Sequence, residues 1–241
     1  MAPRPLPLKT IASETGMSTA NVHYYLVSFQ TVGIVRQEDT GCYALGPYAL
    51  KLGMAAIEQF DVFTAARPAM ADLAQAIGQT VFLGVWGNRG PTIIHRVEAG
   101  ASRPILELRV GSVLPVLRSA LGRNFVAHLP AALSDDLVEA ALAEEHARPA
   151  RSEPDDTPRD RDELDAMLAA VRLAGLSRCR DALLANFTSL SAPIFDQGGT
   201  MIAAITLMGP TGTMDDELAG STAEALRQRA AMISHSAGWG G

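Results

Sequence analysis

The 241-residue chain is 48% hydrophobic and 19% charged, which excludes a disordered chain and suits one or two globular domains with a sizeable core. No apolar run reaches transmembrane length, and no charged segment followed by an apolar stretch opens the chain, so a cytoplasmic protein with no membrane partner is expected. A net charge of −6 counts against nucleic-acid binding when taken as an average, and the two cysteines, Cys42 and Cys179, have neither metal-type spacing nor a disulfide framework, so no metal and no cofactor is expected.

Residues 1–7 are Pro-rich and are not expected to form a helix. Between residues 8 and 35 two short helical patterns meet at a turn. Ile11 and Ala12 are the apolar residues of the first, and Gly16 stands where a helix-turn-helix needs a residue that tolerates positive φ. Ser18 offers a side-chain oxygen to the next helix start, whose expected buried face is Val22, Leu26 and Phe29 at i, i+4 and i+7. Gly33 is expected to close that helix. Ile34 and Val35 then start a strand, Asp39-Thr40-Gly41 makes a turn, and 43–45 returns, so a two-stranded wing follows. The pattern predicts a winged helix-turn-helix over residues 1–46. Such a domain usually has a further helix ahead of the helix-turn-helix, and this sequence leaves no room for one. Either the chain starts late relative to its ancestors, or the small domain leans on a partner.

Gly46-Pro47 introduces a linker helix expected over 47–60, patterned by Tyr48, Leu52, Ala55 and Ala56. A second helical pattern over 61–77 is interrupted by Pro68, carries Met70, Leu73 and Ala74 on one face and stops at Gly78. The period then changes from helical to alternating. Segments 80–86, 92–97 and 104–110 are predicted strands, with the Gly87-Asn88-Arg89-Gly90 turn making a hairpin of the first two. Helices are predicted over 118–129, 135–145 and 163–174, the last two separated by a Pro-rich, mixed-charge surface loop over 148–162. Strands over 176–184, 189–195 and 201–208 follow, with Gly198-Gly199 turning the last two. A final helix over 215–233 takes Asp215 as its cap. Residues 61–241 are therefore expected to form an α+β domain, an antiparallel sheet flanked by helices.

The charge average hides an asymmetry. Residues 1–53 carry Arg4, Lys9, Arg36 and Lys51 against Glu14, Glu38 and Asp39, a balance of +1 that leaves −7 for the remainder. One copy neutralises few phosphates, so useful DNA affinity requires two or more copies bound together. Enzyme signatures are missing: there is no Gly-rich phosphate loop, no pair of histidines at metal spacing and no Gly-x-Ser-x-Gly elbow. Cys179 lies near Asp181 with no histidine within reach by sequence, and His95, His128 and His146 fall in a strand pattern or at helix ends, where structural roles dominate. Catalysis is not expected.

The whole chain resembles the IclR family of bacterial transcriptional regulators. Its markers are IASETGMSTANVHYYL, YALGPYALKLG, RVGSVLPVLRSALGRNFVAHLP and SAPIFDQGGTMIAAITLMGP, in the family's order and spacing. The resemblance implies a winged helix, a linker helix and a GAF-like effector-sensing and oligomerisation domain. It further implies a repressor or activator that binds palindromic double-stranded operator DNA as a homodimer or tetramer and answers a small-molecule effector. Where the family's recognition helix usually carries a Lys or Arg and later a second Arg, this chain has Thr19 and Tyr24. Asn21 and His23 are expected at base edges or backbone, and Tyr24 or Tyr25 at phosphates, unless one tyrosine is core; Ser18 and Arg36 complete the expected DNA-binding set.

The resemblance also places an effector pocket between the sheet and the helix after Gly111-Ser112-Val113-Leu114-Pro115. Leu106, Leu114, Ala120, Leu121, Cys179, Phe187, Ser189, Thr206 and Met208 match its positions. Ala120 and Leu121 lie early in their helix, where free N–H groups suit a carboxylate. Cys179 stands where the family often has an acidic residue, Met208 where a small hydroxyl residue is common, and Phe187 adds apolar surface. An organic acid with an apolar or aromatic body is the expected effector. Cys179, Phe187 and Met208 as ordinary core residues, and a ligand-binding oligomeric module that has lost operator binding, are the alternatives.

Overall fold

The first helix, Leu8–Thr15 (α1), stops at Gly16, whose φ of 66° lies in the left-handed region that a side chain disfavours. This computed structural model describes residues 5–59, 61–99, 108–148 and 156–240. The chain divides into two compact units, Met1–Phe60 and Asp61–Gly241.

In the first unit, Thr19–Thr31 (α2) begins at Ser18, whose hydroxyl accepts the Asn21 N–H at 3.3 Å. Val22 and Leu26 pack with Ala12 and Tyr43 into a small core, edged by Ile11, Met17 and Val35. Phe29, predicted to continue that face, is instead 42% exposed: it lies one turn beyond the residues that α1 and the wing cover. The wing strands Val35–Gln37 (β1) and Tyr43–Leu45 (β2) pair antiparallel, Arg36 opposite Ala44. The Pro-rich start adds a short third rung, since Leu6 and Tyr43 exchange N–H to C=O bonds of 2.9 and 2.8 Å. Pro47–Gln59 (α3) follows the wing.

The second unit opens with Val62–Ile77 (α4), capped by the Asp61 carboxylate, which accepts from the Phe63 N–H and the Thr64 hydroxyl. The predicted interruption at Pro68 does not occur; α4 runs through it to Gly78. Five strands, Thr80–Gly87 (β3), Gly90–Val97 (β4), Ser177–Arg180 (β5), Phe187–Phe195 (β6) and Met201–Pro210 (β7), form one antiparallel sheet in the order β4-β3-β7-β6-β5. Around it lie Ala120–His128 (α5), Ala131–Ala147 (α6), Arg161–Ala174 (α7) and Ser221–Ser236 (α8).

Strand alternation sorts the sheet into two faces. Val81, Leu83, Leu190, Ile194, Ile205 and Leu207 meet Met70 and Leu73 of α4 and Leu226 and Ile233 of α8, each large side chain there contributing about 1.5–3 kcal/mol by burial. Phe82, Ala204 and Met208 face the other way, onto Leu121 and Phe125 of α5. A Cβ at Gly84 would lie 2.4 Å from the Leu121 side chain, so the bare glycine lets α5 lie flat on this face.

Several boundaries differ from the sequence reading for local reasons. α5 starts at Ala120 rather than 118, because the Ser119 hydroxyl takes the Gly122 N–H at 2.9 Å and fixes the helix start there. α8 starts at Ser221 rather than 215; Asp215 still serves it from outside, accepting the Ser221 N–H at 2.8 Å. Of the strand predicted over 104–110, residues 104–107 lie outside the described residues and 108–110 are not strand. The free edge of β4 is met instead by the next segment, through Ile93 N–H to Ser112 O at 2.9 Å and Leu114 N–H to Pro91 O at 2.7 Å. β5 is shorter than predicted, ending before Asp181, which has a positive φ of 57°.

Candidate functional site

The exposed face of α2 carries polar groups but no Lys, Arg, Asp or Glu. With Val22 and Leu26 turned inward, the 100° step per residue leaves Asn21, His23, Tyr24 and Tyr25 exposed, and Thr19, on the inward stripe, is exposed because it is the first residue of the helix. Neither tyrosine is core: Tyr24 is 72% and Tyr25 50% exposed, their rings edge-to-face at 5.9 Å. No Lys or Arg occurs in the helix. Ser18 is exposed with its oxygen engaged as the cap, and Arg36 projects from the wing, paired with Glu38 at 3.3 Å. This surface offers hydroxyl, amide and imidazole groups in place of a row of cations.

In the second unit, the segment bonded along β4 delivers Leu114 beneath the start of α5, and a small cavity forms there. Six of the residues predicted for the effector pocket line it: Leu114, Ala120, Leu121, Ser189, Thr206 and Met208. Its volume is about 10 Å³, close to the room one water needs. Leu106 lies outside the described residues. Cys179 does not line the cavity; its thiol donates to the Arg118 carbonyl at 3.0 Å, among Ala120 and Ala182. Phe187 packs half-buried against the same apolar cluster without lining the cavity.

Phe82, Ile93, Leu108, Ser119 and Leu183 also line it and were missed. Val81, Phe82 and Leu83 are all apolar because the strand is covered on both faces, so no alternation marks Phe82 as facing α5. Ser119 carried a readable signal, a hydroxyl residue just ahead of a helical pattern.

The polar groups cluster at one end. Ser119 donates to the Pro115 carbonyl and accepts from Gly122, leaving the Ala120 and Leu121 N–H groups of the first turn without a partner among the described residues. Thr206 donates to the Ser191 hydroxyl at 2.9 Å, and the wholly buried Asn124 donates to the same oxygen at 3.2 Å. The Asn124 side-chain amide oxygen, Oδ1, has no partner among the described residues. No charged side chain lines the cavity among the described residues. Its chemistry is N–H and hydroxyl hydrogen bonding inside an apolar wall.

Two buried arginines brace this frame. Arg118 donates twice to the Ala182 carbonyl and once to Glu145 at 2.9 Å, tying the loop that carries Leu183 to α6. Arg123 donates to the Leu117 and Arg178 carbonyls and to Asp156. Among the described residues no group of three or more His, Cys, Asp or Glu side chains is placed to hold a metal.

The family model described as bacterial transcriptional regulator IclR C-terminal matches residues 54–235, and the IclR helix-turn-helix domain matches residues 2–39. The chain belongs to the IclR family. Among the relatives of this IclR-family chain, the glycerol operon regulatory protein of Streptomyces coelicolor is 30% identical over 98% of this chain and 91% of its own length. The HTH-type transcriptional regulator XynR of Escherichia coli is 26% identical, covering 97% and 90%. Among solved structures, HmgR of Pseudomonas aeruginosa matches with a TM-score of 0.88 and 33% identity, covering 100% of this chain and 93% of that one. The repressor BlcR of Agobacterium tumefaciens, at 19% identity and a TM-score of 0.78, shares the fold. The chain is thus a transcriptional regulator of the IclR family with a helix-turn-helix DNA-binding region and a C-terminal effector domain. No helix among the described residues is long and apolar enough to cross a membrane.

Proposed function

We propose that this IclR-family regulator reads a palindromic operator with the exposed face of α2 and answers an organic acid with an apolar or aromatic body in the α5 cavity. The observation that carries the effector class is the pair of N–H groups at Ala120 and Leu121, without a partner among the described residues, at the positive end of a helix and above an apolar lining. A carboxylate there meets backbone donors, with the Ser189 and Thr206 hydroxyls alongside, while its body lies against Leu114, Leu121 and Met208. A cavity of about 10 Å³ admits such a molecule only if lining side chains move, and the unbranched Met208 has the most rotatable bonds among them. Effector binding therefore selects an expanded state of the domain, and the effector's differential affinity for the two states limits how far it can change DNA binding.

On the DNA side, the hydroxyls of Thr19, Tyr24 and Tyr25 and the Arg36 guanidinium act on phosphates, and Asn21 and His23 on base edges, with Ser18 setting the start of the helix. In this reading residues 1–46 bind DNA, 47–60 link, and 61–241 bind effector and oligomerise; two or more copies supply the phosphate contacts one copy lacks. Coupling is reciprocal, so operator DNA changes effector affinity by the same factor. The test is a titration of the full chain with duplex from upstream of its own gene, against a scrambled duplex, with and without a panel of small organic acids. Selective binding shifted by an acid supports the reading; acid-induced thermal stabilisation without selective DNA binding favours a ligand-binding module, the reading that the uncharged α2 also supports.

A further inference from the structure

At the sheet edge where β5 stops, a second cleft opens. β5 covers β6 only from Thr188 to Ser191, and beyond it a cleft of about 350 Å³ lies beside Ala192, Pro193 and Phe195. That is the size of small-ligand pockets, and no residue lining it also lines the α5 cavity. Pro193 has no N–H to offer a further strand, so this edge is ill suited to pairing with another chain.

One wall is a row of rings. Trp239 and Phe195 are 5.1 Å apart between centroids, and Phe195 and His128 5.4 Å. Beside them Arg172 is anchored by its Nε, which donates to the Ala127 carbonyl at 2.6 Å. Its two terminal nitrogens have no hydrogen-bond or ion-pair partner among the described residues. Arg227 also borders the cleft but is committed to Glu224 and to the Ala174 and Leu218 carbonyls. No Asp or Glu lines the cleft among the described residues, so its local charge is positive. His128 adds little at neutral pH: burial, with Arg172 nearby, holds the ring below its ordinary pKa, against the opposing pull of the Asn124 carbonyl 2.9 Å from its Nδ1.

We propose that this cleft is a second ligand site, which takes a small aromatic carboxylate with its ring on Trp239 and Phe195 and its carboxylate on the Arg172 guanidinium. A planar guanidinium matches a carboxylate in two-pronged geometry, and ring-on-ring contact sets the orientation of the body. The site is independent of the α5 cavity, and its occupancy would hold α5, α7, β6 and the C-terminal end of α8 together.

The chain has two tryptophans, Trp86 beside Phe125 and Trp239 in the cleft, so two indole N–H resonances report the two regions separately. The experiment titrates benzoate, and benzyl alcohol as its neutral counterpart, into the nitrogen-15-labelled full chain, with Trp86→Phe assigning the resonances. The expected result is a saturable shift of the Trp239 resonance by millimolar benzoate but not by benzyl alcohol. Arg172→Gln weakens that binding by about tenfold or more, and Arg172→Lys, which keeps charge and loses the fork, falls between. A stationary Trp239 resonance, an equal response to benzyl alcohol, an unchanged affinity in Arg172→Gln, or a shift of Trp86 alone overturns the proposal. If Arg172→Gln does not fold, the comparison of benzoate with benzyl alcohol decides it.

Discussion

The Cys179 thiol donates to the Arg118 backbone carbonyl at 3.0 Å, which turns this cysteine into the packing behind α5 and away from the cavity. Native protein treated with a thiol reagent should therefore release one equivalent quickly, from the partly exposed Cys42, and a second only as the chain unfolds. Cys179→Ala should lower stability by about 1–2 kcal/mol in urea titrations, through a small void and a lost weak donor. Two thiols of equal native reactivity would contradict this placement.

Arg118 and Glu145 are both buried, 7% and 5% exposed, and meet at 2.9 Å. Removing Arg118 leaves the buried Glu145 with only the half-exposed Arg148, at 3.4 Å, so Arg118→Ala should cost up to about 3–5 kcal/mol, read from the urea midpoint at constant slope. Arg118→Met with Glu145→Met should cost less than the sum of the two single changes, because the double variant leaves neither buried charge behind and the Arg148 it frees is half exposed to water.

Gly122 sits where α5 crosses its own lead-in: a Cβ there would meet the Pro115 and Val116 carbonyl oxygens at 2.5 Å. Backbone cannot yield as a side-chain tip does, so Gly122→Ala should destabilise by about 1–3 kcal/mol or more. Because the displaced segment carries Leu114 and the Ser119 cap, effector response should fall further than stability alone accounts for. An alanine variant of native stability would show that the lead-in has slack.

His128 is held below its ordinary pKa by burial, with Arg172 adding to this and the Asn124 carbonyl opposing it; His95 is lowered by burial and by Arg67. The unfolded chain binds these protons near about pH 6.5 while the folded chain does not, so stability should fall as pH drops below that value. The lowered carboxylates of Asp61, Asp215 and Glu224 act in the same direction in a more acidic window, below about pH 4.5. Urea midpoints at about pH 7.5 and about pH 5.5 should therefore differ, and His128→Gln should reduce the difference. A difference unchanged in that variant would assign the effect elsewhere.

Much of this fold was legible because backbone geometry leaves few choices at particular residues. Gly16 with positive φ, the Ser18 cap, the Asp39-Thr40-Gly41 turn and the Gly87 to Gly90 hairpin each permit little else. Faces of buried strands were not legible, since β3 is apolar on both sides and Phe82 looks the same in sequence as Val81 and Leu83. Phe29 was misassigned because periodicity says which residues share a stripe and not how far the covering element extends. For Cys179, the family resemblance implied a place in the pocket, but its hydrogen bond to Arg118 depends on a contact 61 residues away in the chain.

The central claim, that α2 reads operator DNA, is tested most directly by repeated selection of duplexes from a random library with the full chain, beside Asn21→Ala and Tyr24→Ala. Both positions are exposed, so both variants should keep native stability within about 0.5 kcal/mol. The account predicts enrichment of one palindromic sequence by the native chain, with affinity falling linearly in log–log salt plots, and loss of that enrichment in the variants. No enriched sequence, or the same sequence enriched equally by all three proteins, would contradict it.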